Sequence, residues 1–275
     1  MKYAVPDTLQ GRLVWRYLSL GRFIWLLQHK QLWLSRTDKL NDRWETLPSS
    51  AETERLMASA APEVGTDKSP YKTQADALRG LVSVLGSFAR HAFVNCWFDA
   101  PTESFGMWNT YGRSPESVAI QTTLGKLSAS VPREDFEVLP IHYDYKMDPR
   151  ILEPLYLATR KRGEFAYENE IRIIHLKDPR ASTGEPPPGI AMPWEPAAFV
   201  EHIYVHPDAD VVTVDTVVGL VRQLAPSLAG VVMRSELSQG PEAIFTPSMI
   251  KAMAESPSPV PRPQSESAPK ETRER

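Results

Sequence analysis

The sequence predicts an α+β fold: one mixed, mostly antiparallel sheet flanked by helices, with a disordered Pro-rich C-terminal tail. Three observations lead there. Short runs of period-2 alternation recur along the chain, among them LVWRYL, QLWLSR and HAFVNCWF. Stripes of apolar residues at helical spacing fall between such runs, over residues 19–30, 77–90 and 211–224. From Ser256 the segment SPSPVPRPQSESAPKETRER lacks the apolar content to order it. A single domain over 12–240 is expected, with 48–76 as an insertion, 241–255 as an extension and 256–275 as the tail.

In order, Leu13–Leu18 reads as a first strand, with Leu13, Trp15 and Tyr17 on one face and Val14, Arg16 and Leu18 on the other. Ser19 caps a helix to Lys30 whose stripe is Leu20, Phe23, Ile24 and Leu27. QLWLSR is the second strand, and DKLNDRWE turns through Asn41-Asp42. Residues 48–76, rich in Ala, Ser, Glu, Pro and Thr, read as a surface insertion with some helix. Ala77–Arg90 is a helix, His91–Phe98 a central strand, and ESFGMWNTYG a short helix ending at Gly112. Strands are expected at Ser117–Thr122 and Val138–Tyr145, the latter weakened by Pro140. A helix from Asp148-Pro149 to Arg162 leads to a strand from Tyr167. Residues 178–196 form a Pro/Gly-dense loop, Phe199–His206 a strand, Val211–Leu224 a helix and GVVMRSEL a closing strand.

The composition, 42% hydrophobic and 24% charged, is that of a soluble globular protein. A formal charge of -3 and a pI near 6.1 give no strong signature of nucleic acid or of an anionic membrane as partner. The single Cys96 fits a reducing, cytoplasmic setting, and no apolar run approaches the ~18 residues of a membrane span.

The chemistry concentrates in ENEIR. A strand from Tyr167 puts Glu168, Glu170 and Arg172 on one face, as a self-compensated wet row or as the lining of a polar cleft. Arg16, if it faces inward, needs a partner, and Glu168 or Glu170 would serve. Phe105, Trp108 and Tyr111 at i, i+3, i+6 either pack in the core or stack a planar ring. Asn41-Asp42-x-x-Glu45 reads as a turn with a helix cap. His202, His206 and Asp208 lack metal-site spacing for a strand, and no metal is expected. P-loop and G-x-G-x-x-G motifs are absent.

The ordered set WRYLSL, LWLSRTDKLNDRWE, NCWFDAPTESFGMWNTYG, KRGEFAYENEIRII, EHIYVHPDA and MRSEL resembles the bacterial domain-of-unknown-function family 2971 across roughly residues 13–237. The chain departs from that family at Arg43, where Pro is usual, and at His206, where Gly often precedes Pro. More distantly, an arginine on the first strand and Glu-x-Glu on a late one are similar to the ADP-ribosyltransferase superfamily. That likeness implies NAD as substrate and a toxin or phage-defence role with a macromolecular acceptor. It implies Arg16 and Tyr17 near the cofactor, Trp108 and Tyr111 about the nicotinamide, and Arg172 beside them. Glu170 would stabilise an oxocarbenium-like transition state and Glu168 would orient the acceptor. A ligand-binding sensor domain without turnover is the alternative.

Overall fold

In the computed structural model, residues 5–42, 44–143, 153–181, 184–238 and 247–255 are described. They form an open mixed sheet flanked by helices, the architecture expected above. The strands are β1 (Leu13–Leu18), β2 (Gln31–Arg36), β3 (Ala92–Asp99), β4 (Val118–Thr123), β5 (Glu137–Pro140), β6 (Glu170–Leu176), β7 (Gly189–Pro193), β8 (His202–Val205) and β9 (Val232–Arg234). Their order is β5-β6-β3-β1-β4-β8-β9, with β2 pairing β3 and β7 on a side branch. Every pairing is antiparallel except β8 with β9.

The helices are α1 (Leu20–His29), α2 (Ser50–Ala60), α3 (Gln74–His91), α4 (Phe105–Met107), α5 (Leu124–Ala129), α6 (Pro154–Ala158), α7 (Pro196–Phe199) and α8 (Val211–Leu224). All of these belong to one compact unit ending at Ser238. A second unit contains α9 (Pro247–Glu255).

β3 is the central strand because both of its faces are apolar and aromatic, with only Cys96 less than fully buried. One edge pairs along its length with β6. The other edge is shared: Phe93 and Val94 pair with β2, Phe98 and Asp99 with β1. β1 and β2 thus part company over Asn95–Trp97, and side chains close the fork. Asn95 Nδ2 donates to Trp33 O (2.8 Å) and Arg16 Nη1 to Cys96 O (2.6 Å). Buried backbone acceptors at such a break need donors of this kind.

The main core lies on one face, where Val14, Leu18, Trp97 and Ile120 meet Phe23 and Leu27 of α1 and Val217 and Val221 of α8. The opposite face carries Trp15, Tyr17, Phe98, Met107, Trp108 and Tyr204, and beside them Val94, Ala158 and Ile174.

Several local expectations are corrected. The late strand starts at Glu170 and not at Tyr167: Gly163–Glu168 is a 3-10 turn and Asn169 is left-handed, φ 34°. Asparagine tolerates that region, and its Nδ2 donates to Asp99 O. The helix ending near Arg162 is confined, among the described residues, to α6, and residues 144–152 lie outside them. The strand at 138 ends at Pro140, which has no N–H for a ladder. Gly189–Pro193, expected as loop, is β7, held on β2 with Gly189 opposite Ser35. The segment at 48–76 is not merely surface, because Glu52 of α2 is buried against Arg160. The predicted tail lies outside the described residues.

Candidate functional site

The acidic stretch builds a buried ion cluster. Strand parity sends Glu170 and Arg172 to one face of β6. Asn169 reverses the chain so that Glu168, on the preceding turn, points to the same place. Arg172 is fully buried and spends all five of its N–H groups on protein. Nε and Nη2 donate to Glu170 Oε1 (2.7 Å) and Oε2 (3.0 Å). Nη1 and Nη2 donate to Glu45 Oε2 (3.0 Å) and Oε1 (2.9 Å), and Nη1 also to Ala158 O (3.0 Å). Lys161, just past α6, reaches three carboxylates: Glu168 Oε2 at 2.5 Å, Glu170 Oε2 at 3.3 Å and Glu45 Oε1 at 3.3 Å.

Electrostatics follow from this packing. Burial alone would raise the Glu170 carboxyl, but Arg172 and Lys161 overcome it and hold it down to about 2. Burial opposes the charge of Lys161, yet Glu170 and Glu45 raise its ammonium above the ordinary lysine value. The Cys96 thiol, opposite Arg172 in the ladder, is pushed up by burial and then by Glu170, which leaves it protonated.

Around the ions stands a partly exposed aromatic wall. Tyr111, 37% exposed, donates its hydroxyl to Glu168 Oε1 (2.7 Å). Burial and then Glu168 raise that phenol. Tyr143 accepts the Glu170 N–H on its hydroxyl (2.7 Å). Phe165 stacks with the exposed Tyr167, and the guanidinium of Arg162 lies 5.3 Å from the Phe165 centroid. Arg162 in turn pairs with buried Asp42 (2.8 Å), whose Oδ1 also accepts the N–H of exposed Trp44.

Four of the residues singled out from sequence, Glu168, Glu170, Arg172 and Tyr111, therefore share one cluster. Trp108 is fully buried, edge-on to Tyr17 at 4.9 Å, and its Nε1 donates to Glu103 Oε2 (2.8 Å). Tyr17 accepts Ser104 N–H on its hydroxyl (2.8 Å). Both rings back the turn that carries Tyr111 without lining the cluster. Arg16 leaves β1 beside Ile120, on the main-core face, whereas Glu170 pairs with Phe98 on the opposite face. Arg16 accordingly fills the fork from the other side, where burial lowers its guanidinium to about 10.

Lys161 and Glu45 carry no motif signal. Glu45, with Asp42, was expected to form a turn with a helix cap. The turn is present, Asp42 accepting the Trp44 and Glu45 N–H groups. Glu45 and Asp42 are, however, buried in ion pairs with Arg172 and Arg162 instead of capping a helix. The charge of Arg172, set between isoleucines on a strand buried along most of its length, was the available clue that further carboxylates must converge there.

Among the described residues, no group of three or more His, Cys, Asp or Glu side chains is placed to hold a metal ion, and no helix is long and apolar enough to cross a membrane. No protein-family model matches the chain, the unknown-function family read from its motifs included, and no curated protein matches it. A solved structure, Thermus sp. 2.9 DarT in complex with ADP-ribosylated ssDNA, overlaps it with a TM-score of 0.35 and 10% identity. That overlap covers 83% of this chain and 94% of the other. An overlap of this quality assigns the chain neither a family nor an activity.

Proposed function

We propose that the protein is an NAD-using ADP-ribosyltransferase-like enzyme whose reaction centre is the cluster of Glu45, Glu168 and Glu170. The observation that supports this most is the balance of charge: three carboxylates are bonded to two cations behind a half-exposed tyrosine. A purely structural ion cluster costs least when it is neutral. One left formally at -1 keeps a fixed negative potential at its mouth, which stabilises a ribosyl cation as it develops.

In this reading the ligand displaces the Tyr111 hydroxyl from Glu168. The bond between the nicotinamide nitrogen and the ribose anomeric carbon breaks, and its electron pair leaves with the nicotinamide. A nucleophile on a macromolecular acceptor bonds to that carbon and gives its proton to Glu168. Glu170 supplies charge and does not move, because Arg172 and Lys161 hold both of its oxygens. The exposed faces of Tyr111 and Tyr167 take the planar ring. Arg16, which fills the fork from the other face of the sheet, takes no part in this centre. Such an activity would suit a toxin or a phage-defence effector.

The test is incubation with NAD and assay of free nicotinamide and of labelled acceptors. Wild-type protein is expected to release nicotinamide, with Glu168→Gln and Glu170→Gln each lowering the rate at least ~100-fold. Absence of both release and labelling across broad acceptor pools rejects the enzyme reading.

One observation favours the alternative of a ligand-holding sensor: every oxygen of Glu168 and Glu170 is already hydrogen-bonded without a ligand. In that case NAD or another small ligand raises the melting temperature in a Glu168-dependent way, and no nicotinamide appears.

A further inference from the structure

The turn that carries Tyr111 is a single π-helical turn, Trp108–Gly112, and it rests on a buried histidine. His206, 7% exposed, follows β8 and meets the fully buried Trp108 edge-on at 5.1 Å and 75°. Its Nδ1 accepts the backbone N–H of Asp208 (3.1 Å), so the neutral ring carries its proton on Nε2. The histidine and the π turn share a second neighbour. Ser117 O accepts His206 N–H (3.1 Å), and a Cβ on Gly112 would lie 2.7 Å from Ser117 Oγ and 3.1 Å from Trp108 Cε3. These groups are closely packed, and single π turns inside helical segments are uncommon and occur frequently at functional sites.

The charges facing the ring are two carboxylates. Asp208 Oδ2 lies 4.0 Å from Nδ1, and Glu116 lies on the loop before β4. Glu103 sits beyond Trp108, bonded to its indole nitrogen and to Ser235 Oγ (2.6 Å) and Glu236 N–H (2.6 Å). Burial lowers the histidine below its ordinary value despite the two acids.

We propose that His206 is a proton-operated latch on the Trp108–Gly112 turn: neutral, it accepts the Asp208 amide and holds Trp108 in place; protonated, it exchanges that amide for the Asp208 carboxylate and shifts the ring against Trp108. On protonation both imidazole nitrogens become donors. Nδ1–H and the Asp208 N–H then oppose each other at a separation that was a hydrogen bond, while an acceptor oxygen waits nearby. Rotation of the 207–209 turn brings that oxygen in. The imidazole moves with it, and Trp108, packed between His206 and Tyr17, must follow. The latch is independent of what Glu168 binds.

The test is a pH titration of the full chain by NMR from pH 8 to pH 5, following His206 and the Trp108 indole N–H, the latter assigned with Trp108→Phe. The expected result is that the Trp108 resonance moves with the midpoint of His206, that His206→Asn abolishes the movement, and that Asp208→Asn lowers the midpoint further. Asparagine retains an acceptor for the Asp208 amide and cannot titrate. If His206→Asn does not yield a dispersed spectrum, Asp208→Asn alone decides, since its surface turn does not bear on the core. A Trp108 resonance that stays fixed while His206 titrates overturns the proposal. So does a shift that persists in His206→Asn, a midpoint unchanged in Asp208→Asn, or a His206 that does not titrate above pH 5.

Discussion

Arg172 holds the cluster together because a guanidinium is the one side chain that can meet two carboxylates in bidentate fashion at once. Arg172→Met would leave Glu45 and Glu170 with Lys161 alone, at least two buried negative charges for one positive. Breaking one member out of a buried network costs about 3–5 kcal/mol, and a loss of that size is expected in urea unfolding. Glu45→Gln in the same background should return part of it by removing a stranded charge. A single-variant loss under ~1 kcal/mol would mean that water reaches the cluster. The sequence carried this much: Glu168, Glu170 and Arg172 could be read from β-parity, and an arginine between isoleucines asks for partners. It could not carry Lys161 or Glu45, because those contacts are made by the tertiary path through α6 and the turn after β2. Nor did parity predict that Arg16 would leave on the opposite face from Glu170, since which strands neighbour one another is not written in either strand.

Elements were legible where a period ran uninterrupted, as in β1, β2 and α8, and lost where a special backbone conformation intervened. The aromatic triad at 105, 108 and 111 is an instance. A regular helix would line the rings up, but the π turn buries Trp108 completely and leaves Phe105 and Tyr111 exposed. The strand at Gly189–Pro193 was hidden by its prolines, and it forms because Gly189 lets Trp33 lie on its backbone. A Cβ there would sit 2.5 Å from the Trp33 ring and 2.6 Å from Leu34 O. Gly189→Ala is therefore expected to cost roughly 1–3 kcal/mol through displacement of Trp33, read as a lower melting temperature and a changed tryptophan emission. Helices α2 and α3 offer a paired comparison. Both begin with a complete capping box, Ser49 with Glu52 and Thr73 with Asp76. Thr73→Ala, at an exposed helix start, should cost about 1 kcal/mol. Ser49→Ala should cost more, because Glu52 also accepts from buried Arg160 at 2.8 Å and loses the hydroxyl that orients it. Equal losses would show that the Glu52–Arg160 pair holds its geometry without the cap.

At the scale of the whole molecule the buried ionisable groups set the pH range over which the fold is stable. On the acid side, the Glu170 carboxyl is held at about 2 against an ordinary 4.5, so its stabilisation is present above 4.5 and is lost as the pH falls toward 2. His206 is lowered from 6.5, so the unfolded chain takes up that proton first and stability begins to fall below 6.5. Asp99, raised by burial, works in the other direction near its own range. On the alkaline side the signs reverse. Cys96 is raised from 9.0 by burial, so the unfolded chain releases its proton while the native chain keeps it, and stability falls as the pH rises past 9. Tyr111, Tyr143 and Lys161, all raised, add to that loss from about 10 upward. The free energy of unfolding, measured in urea from pH 3 to pH 10, should therefore be flat between about 6.5 and 9 and decline on both sides. Cys96→Ala should move the alkaline decline upward toward 10, and Glu170→Gln should flatten the limb between 4.5 and 3 at the cost of lower stability throughout. A profile whose acid limb is unchanged in Glu170→Gln would mean that this carboxylate is solvated in the folded protein, and the charge balance on which the proposed reaction centre rests would be absent.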